Sequence, residues 1–257
     1  MKLGVSYNLF DGEELLEGSI KQIRKAVDYV SVVCQTTSNF GKPCTEELIP
    51  LLKKLKKEKL IDEVLLYTPE IARGGHYNEV TKRNIGLQSS LKAGCSHHMS
   101  MDCDEYYLSS EFANLKKKFE QGQWDSSYCQ MLTYHHSWEY ILDPPEDYYV
   151  PLIVQIDEHS KYILGSIAPV LVDPTRSIAG LTRPLILSRK EIQMHHGSYI
   201  RNNIRTKLEN SSASINFNHE IEKLVEHYTH WNYPEKVFCA GLPSTLKTVK
   251  RISPFFK

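Results

Sequence analysis

Two hydrophobic rhythms alternate along the first 110 residues. Short apolar runs at 2–7, 29–34 and 63–67 read as buried strands, and a weaker one at 96–101 closes the series. Between them apolar residues recur three and four apart: Leu15, Leu16, Ile20 and Ile23 within 13–26, and Leu48, Leu51, Leu52 and Leu55 within 46–60. A third helix is predicted over 78–93. Strands that alternate with amphipathic helices predict βαβ units with right-handed crossovers, hence a parallel sheet flanked by helices. After residue 110 the pattern changes. It predicts helices at 111–121, 199–208 and 215–228, and strands at 128–138, 150–156 and 168–172. The chain breaks at Asp143-Pro144-Pro145. No repeat or low-complexity linker divides it, so 1–257 reads as one α/β domain. Residues 1–110 form a ligand-binding half, and 111–257 a mixed α/β second half.

Composition narrows the partners. Lys+Arg and Asp+Glu are equal at 31 each, so no global field favours nucleic acid, and anion recognition must be local. The six cysteines form no C-x-x-C pair, which argues against a zinc ribbon or disulfide framework and for reduced thiols. The segment MKLGVSYNLF turns polar too soon for a signal peptide, and no run reaches the ~18 apolar residues of a membrane span. The expected location is the cytoplasm.

Against that background one stretch stands out, Met101-Asp102-Cys103-Asp104-Glu105-Tyr106-Tyr107. In an extended segment, residues two apart face the same way, so Asp102 and Asp104 would present their carboxylates together while Cys103 points away. A hard divalent cation takes such oxygens together with substrate phosphates. In open α/β sheets the carboxyl end of a strand is where ligands bind. The stretch therefore predicts a metal–diphosphate site, against the plainer alternative of a solvated turn.

Three stretches together resemble the family-2-like glycosyltransferases of the GT-A fold. Val5-Ser6-Tyr7-Asn8 followed by Glu13-Glu14-Leu15-Leu16 is similar to that family's first strand and helix. Thr81-Lys82-Arg83-Asn84-Ile85-Gly86 is similar to its Arg-Asn-x-Gly helix start, and 101–107 to its DxD segment. The resemblance covers residues 1 to about 110 and departs at strand two. There the family commonly carries acidic residues, whereas this chain has Cys34-Gln35-Thr36-Thr37-Ser38-Asn39.

The resemblance implies an inverting, metal-dependent transfer of a sugar from a nucleotide diphosphosugar, UDP-linked by analogy, to a glycan or lipid-linked glycan. The expected setting is bacterial capsular or lipopolysaccharide synthesis at the inner face of the membrane. Asp104 is expected to ligate the metal directly, with Asp102 on metal or ribose. Lys82 and Arg83 are expected near the diphosphate, Tyr7 and Asn8 at the base, and Gln35 on the uracil edge. Of His195-His196, one imidazole would complete the metal shell, with His196 favoured. His195 or Asp173 would then serve as general base. A nitrogen ligand would make Mn²⁺ preferred over Mg²⁺. The basic tail Lys247–Arg251 beside Phe255-Phe256 could touch a membrane weakly, though a solvated tail is the plainer reading. Two alternatives stand beside this one: a sugar-nucleotide nucleotidyltransferase, and a carbohydrate-binding module without catalysis.

Overall fold

The computed structural model describes residues 1–241 and 244–256. The first half follows the hydrophobic rhythm closely. Strand β1 (Leu3–Leu9) leads to α1 (Glu13–Ile23), β2 (Tyr29–Gln35) to α2 (Leu48–Lys57), and β3 (Glu63–Tyr67) to α3 (Gly74–Lys92), before β4 (His97–Asp102). All four strands are parallel, in the order β3-β2-β1-β4. Leu3, Val5, Tyr7, Val30, Val32, Met99 and Met101 are buried between the helical layers, as near-continuous apolar strands of a doubly covered sheet require.

The second half contains more strand than its pattern suggests. It comprises β5 (Glu105–Tyr106), α4 (Ser109–Gln121), β6 (Ser126–His135), β7 (Ser137–Asp143), β8 (Tyr149–Gln155), β9 (Tyr162–Ile163), β10 (Ser177–Ile178), β11 (Pro184–Ile186) and β12 (Met194–Tyr199). Then follow α5 (Ile204–Asn210), α6 (Ile221–His230), β13 (Val237–Cys239) and β14 (Thr245–Arg251). β8 joins the parallel half antiparallel to β4, and β6 continues the sheet beyond it. Beyond β6 the order runs β7-β14-β13. β12 lies parallel to β6 and antiparallel to β5. The α/β class holds, with a Rossmann-like parallel half and a mixed second half.

Four local expectations are corrected. The predicted strand 128–138 is two strands hinged at His136, whose φ of 66° turns the chain back on itself. The predicted strand at 168–172 is a loop whose ladder contact is one bridge from Val172 to Tyr149. Residues 194–199, expected to precede a helix running 199–208, are strand β12, and the helix begins at Ile204. The basic tail is a strand rather than loose chain: it pairs with β7 as β14 while Lys250 and Arg251 stay exposed, Lys247 meets Glu146, and Phe256 is buried against Tyr106 and Trp138.

Candidate active site

The carboxyl ends of β1, β2 and β4 open into a cleft lined by Asn8, Gln35, Lys82, Arg83, Asp102, Asp104 and Asp173, among others. Local sequence explains how these residues meet. β1 stops at a turn through Gly12, whose φ is 77°. A Cβ there would come within 3.0 Å of Cys103 Sγ and 3.1 Å of Arg201 Cζ, so glycine lets this turn lie over both. In α3, a Cβ on Gly86 would come within 2.0 Å of Ser6 Oγ, so the helix rests directly on β1. Asn84 holds both backbone polar groups of Tyr162, at 2.8 and 3.0 Å. Arg83, one residue earlier, is thereby aimed at β4. The Arg-Asn-x-Gly stretch lies mid-helix rather than at a helix start.

The segment after β4 is a turn, not an extended run. β4 ends at Asp102, residues 103–104 form the turn, and Asp102, Cys103 and Asp104 all line the cleft. Cys103 is 4% exposed and packs with the core. Its thiol donates to the Asp11 carbonyl at 3.2 Å.

Each of the two aspartates meets a pair of cations. Asp102 accepts from Arg83 Nη2 at 3.3 Å and from Arg176 Nη2 at 2.6 Å. Burial would raise its pKa, but the two guanidinium groups outweigh burial and hold it at about 2. Arg83 is also tied to Ser100 Oγ at 2.8 Å, and Arg176 continues to Glu105 Oε1. Glu105 is 1% exposed, and burial, opposed by Arg176, lifts its pKa to about 7. Asp104 is 2% exposed. Its Oδ2 accepts from Arg201 Nη2 at 2.5 Å and Lys207 Nζ at 3.1 Å, while Oδ1 accepts no hydrogen bond from the described residues. Burial opposes ionisation here too, yet Lys207 and Arg201 hold the carboxyl well below the usual range.

His196 lies beside Asp104, its Nε2 3.7 Å from Oδ2, and its Nδ1 is buried without a partner. Burial lowers its pKa more than the neighbouring Asp104 raises it, which favours the neutral imidazole that a metal needs. Among the described residues, no three His, Cys, Asp or Glu side chains are grouped to hold a metal by themselves. The two expected ligands, Asp104 and His196, are neighbours, but of the two only Asp104 lines the cleft. A divalent ion accepts such a pair when phosphate oxygens and water fill the remaining positions.

Other expected residues lie elsewhere. Tyr7 is wholly buried, its hydroxyl 3.1 Å from Ser19 Oγ, so its ring belongs to the core and does not line the cleft. His195 alternates to the opposite face of β12 and is also wholly buried. Its Nδ1 lies 2.7 Å from the Tyr134 hydroxyl, and burial lowers its pKa to about 4. It therefore has no path to the cleft. Gln35 is buried at the cleft wall, its amide donating to Asn39 Oδ1 at 3.0 Å and the Thr37 carbonyl at 3.3 Å. Lys82 donates to Glu79 at 3.0 Å, and Glu79 also accepts from Asn8 Nδ2 at 3.4 Å. Asp173 uses Oδ1 to cap the Thr175 amide at 2.7 Å.

Sequence reasoning missed Arg176, Arg201 and Lys207. Arg201 ends the stretch 194–201 that its histidines had marked, so a signal was at hand. Lys207 carried none, being one lysine on a short helix.

No family model matches the chain, and no curated protein matches it in sequence. Solved structures similar to it include S. aureus TarS 1–349, at 12% identity and TM-score 0.45 over 81% of this chain and 63% of that one. TarS 1–349 in complex with UDP-GlcNAc aligns at 13% identity and TM-score 0.42, over 90% of this chain and 73% of that one. GalNAc-T7 with UDP, GalNAc and Mn²⁺ aligns at 10% and 0.43, over 91% and 52%. The first of these alignments spans less than two thirds of the TarS 1–349 chain. At TM-scores below 0.5, the chemistry of the cleft rests on its own residues.

Proposed function

We propose that the protein is a glycosyltransferase of the GT-A type, moving a sugar from a nucleotide diphosphosugar to a glycan acceptor with inversion at the transferred carbon. The observation that carries this reading is the cleft at the carboxyl ends of β1, β2 and β4, where Asn8, Gln35, Asp102 and Asp104 meet Lys82 and Arg83. Ligands of open α/β sheets bind at such a position. Fission of a sugar–diphosphate bond puts charge on the leaving diphosphate, and a cleft with four lysine and arginine side chains is suited to receive it.

Asp104 Oδ1 and His196 would hold a divalent ion, which when bound supplies Lewis-acid neutralisation of the diphosphate. A nitrogen donor in that pair favours Mn²⁺ over Mg²⁺. Asp102, fixed by Arg83 and Arg176, has its oxygens directed to cations and is left to meet the metal shell through water or the ribose directly. Asn8 and Gln35 carry amides suited to a uracil edge, which supports UDP as the carrier. The family resemblance points to a bacterial surface polysaccharide as the product.

Asp173 is the better of the two expected bases, because it lines the cleft and His195 does not. Its Oδ1 is engaged by Thr175, which orients the carboxylate and leaves Oδ2 to accept a proton from an acceptor hydroxyl. Asp173→Asn is expected to reduce turnover by about a hundredfold while leaving UDP affinity unchanged. A parallel loss of UDP affinity would move Asp173 from catalysis to donor binding.

Calorimetry with uridine, guanosine and cytidine diphosphates, each with Mn²⁺ and Mg²⁺, tests the reading as a whole. UDP with Mn²⁺ is expected to bind tightest. Preference for a nucleoside triphosphate would favour the nucleotidyltransferase alternative, and no binding of any nucleotide would remove both.

A further inference from the structure

His195 and the tail that ends in Phe255-Phe256 take no part in the proposed chemistry, yet they meet behind Asp104. β14 carries the chain along β7, the Ile252 amide donates to the Glu139 carbonyl at 2.8 Å, and Ile252 packs beside Leu132, Tyr134 and Ile141. Four residues on, Phe256 is 6% exposed, while Phe255 beside it is 49% exposed. The centre of the Phe256 ring lies 5.1 Å from that of Tyr106 in β5, 4.9 Å from Trp138 in β7 and 5.1 Å from His195 in β12. One side chain thus joins three strands.

Two of those strands, β5 and β12, hold the Asp104 turn. Gly197 of β12 donates its amide to the Asp104 carbonyl at 2.8 Å, and the adjoining ladder pairs only His195 with Tyr106 and His196 with Glu105. So short a pairing is marginal by itself, and the turn depends on the side chains packed around it. Trp138 comes closest: a Cβ on Gly197 would meet Trp138 Cη2 at 3.0 Å and the Asp104 carbonyl oxygen at 3.5 Å. The indole therefore presses on the residue that holds Asp104. Tyr106 anchors the other side, its hydroxyl donating to the Leu15 carbonyl of α1 at 2.6 Å. Tyr106, Trp138 and Phe256 pair tilted or edge-on, at centroid distances where aromatic rings attract beyond the area they bury.

We propose that Phe256 is a positioning residue: docked against Tyr106 and Trp138, it fixes the β5–β12 ladder and, through Gly197, sets where Asp104 stands in the cleft. Phe256 does not itself line the cleft, so its effect passes through Trp138, Gly197 and Tyr106. Undocking of the tail frees the indole and the ladder together. Coupling between two sites is reciprocal, so a ligand that orders the Asp104 turn also favours the docked tail. The catalytic consequence rests on the proposed role of Asp104, whereas the mechanical link does not.

Backbone hydrogen exchange, read by mass spectrometry on the full chain, tests the link without any ligand. Phe256→Ala is expected to speed exchange about tenfold in 103–107 and 194–199 and to leave 29–35, in β2, at the wild-type rate. Leu55→Ala, a cavity under α2, is the control for general destabilisation and should not single out those two segments. Phe256→Leu keeps an apolar side chain against the indole, and its acceleration should be only about threefold. In the same variants turnover is read as nucleoside diphosphate released from the donor. It is expected to fall about tenfold in Phe256→Ala, with the donor KM within about twofold of wild type, and to recover largely in Phe256→Leu.

Uniform acceleration along the chain, or none in 103–107, overturns the proposal. Local acceleration with unchanged turnover overturns it as well. Should the alanine variant fail to melt cooperatively, Phe256→Leu carries the test: faster exchange confined to 103–107 and 194–199 supports the link, and the wild-type rate there overturns it. If exchange localises as expected while the wild type releases no nucleoside diphosphate, the link from Phe256 to Asp104 stands and the nucleotide-sugar reading falls.

Discussion

Asp104→Asn is expected to reduce turnover about a thousandfold at saturating Mn²⁺, or roughly 4 kcal/mol of transition-state stabilisation. The substitution keeps the size of the side chain and an acceptor oxygen. What it removes is the negative charge that balances Arg201 and Lys207 and that would bind the metal beside His196. Because the residue is buried, the variant must first be shown to fold, by circular dichroism and a cooperative melt. Turnover is then read as nucleoside diphosphate released from the donor. A folded Asp104→Asn protein with near wild-type turnover would end the proposed role of this carboxylate.

The largest expected effect on stability lies one contact away. Arg176 is 9% exposed and bridges the buried Glu105 to Asp102, whose side chain is 34% exposed and also meets Arg83. Removing one partner of a buried ion network costs about 3–5 kcal/mol, because the remaining charges lose their compensation. Arg176→Met should lose that much in denaturant unfolding at pH 8.

The pH dependence follows from Glu105, whose folded pKa of about 7 lies above its unfolded value of about 4.3. A raised carboxyl pKa contributes stability that is fully present below the unfolded value and lost as pH rises through the folded one. The wild type should therefore lose part of its stability between about pH 4.3 and pH 7. Without Arg176 the carboxyl is pushed further up, so the deficit of the variant is larger at pH 8 than at pH 5. Adding Glu105→Gln to Arg176→Met should recover much of the loss at pH 8. A single variant within about 1 kcal/mol of wild type at both pH values would show that the network is not stabilising.

The parallel half was legible in the sequence because its strands are buried on both faces and its helices keep one apolar stripe, so periodicity alone separates them. Asn8, Gln35, Asp102 and Asp104 lie at or beside the ends of such strands, whereas Lys82 and Arg83 lie midway along α3. The second half was harder to read. His195, Gly197 and Ser198 have no strong strand preference, and β12 exists because β6 and β5 flank it. Likewise Thr245–Arg251 reads as a basic tail until β7 supplies a partner. Tyr7 and His195 were assigned by chain position, whereas a strand's alternation turned both away from the cleft. Arg176, Arg201 and Lys207 reach Asp102 and Asp104 across 74, 97 and 103 residues of chain, and nothing local in the sequence marks such a pairing.

The loop between β9 and β10 bears on how the protein can diversify. Its segment 164–171 exposes Leu164, Ile167 and Leu171, and only Val172, at its end, touches a ladder. Asp173 and Arg176 follow immediately and are held by the cleft. Variation is therefore divided along the chain at residue 172. Before it, substitutions and small insertions fall in a loop without crossing a strand or a buried charge. After it, Thr175 is tied to Asp173, and Arg176 to Asp102 and Glu105. Five of the eight residues 164–171 are exposed, so this stretch can accept changes that the charge network behind it cannot.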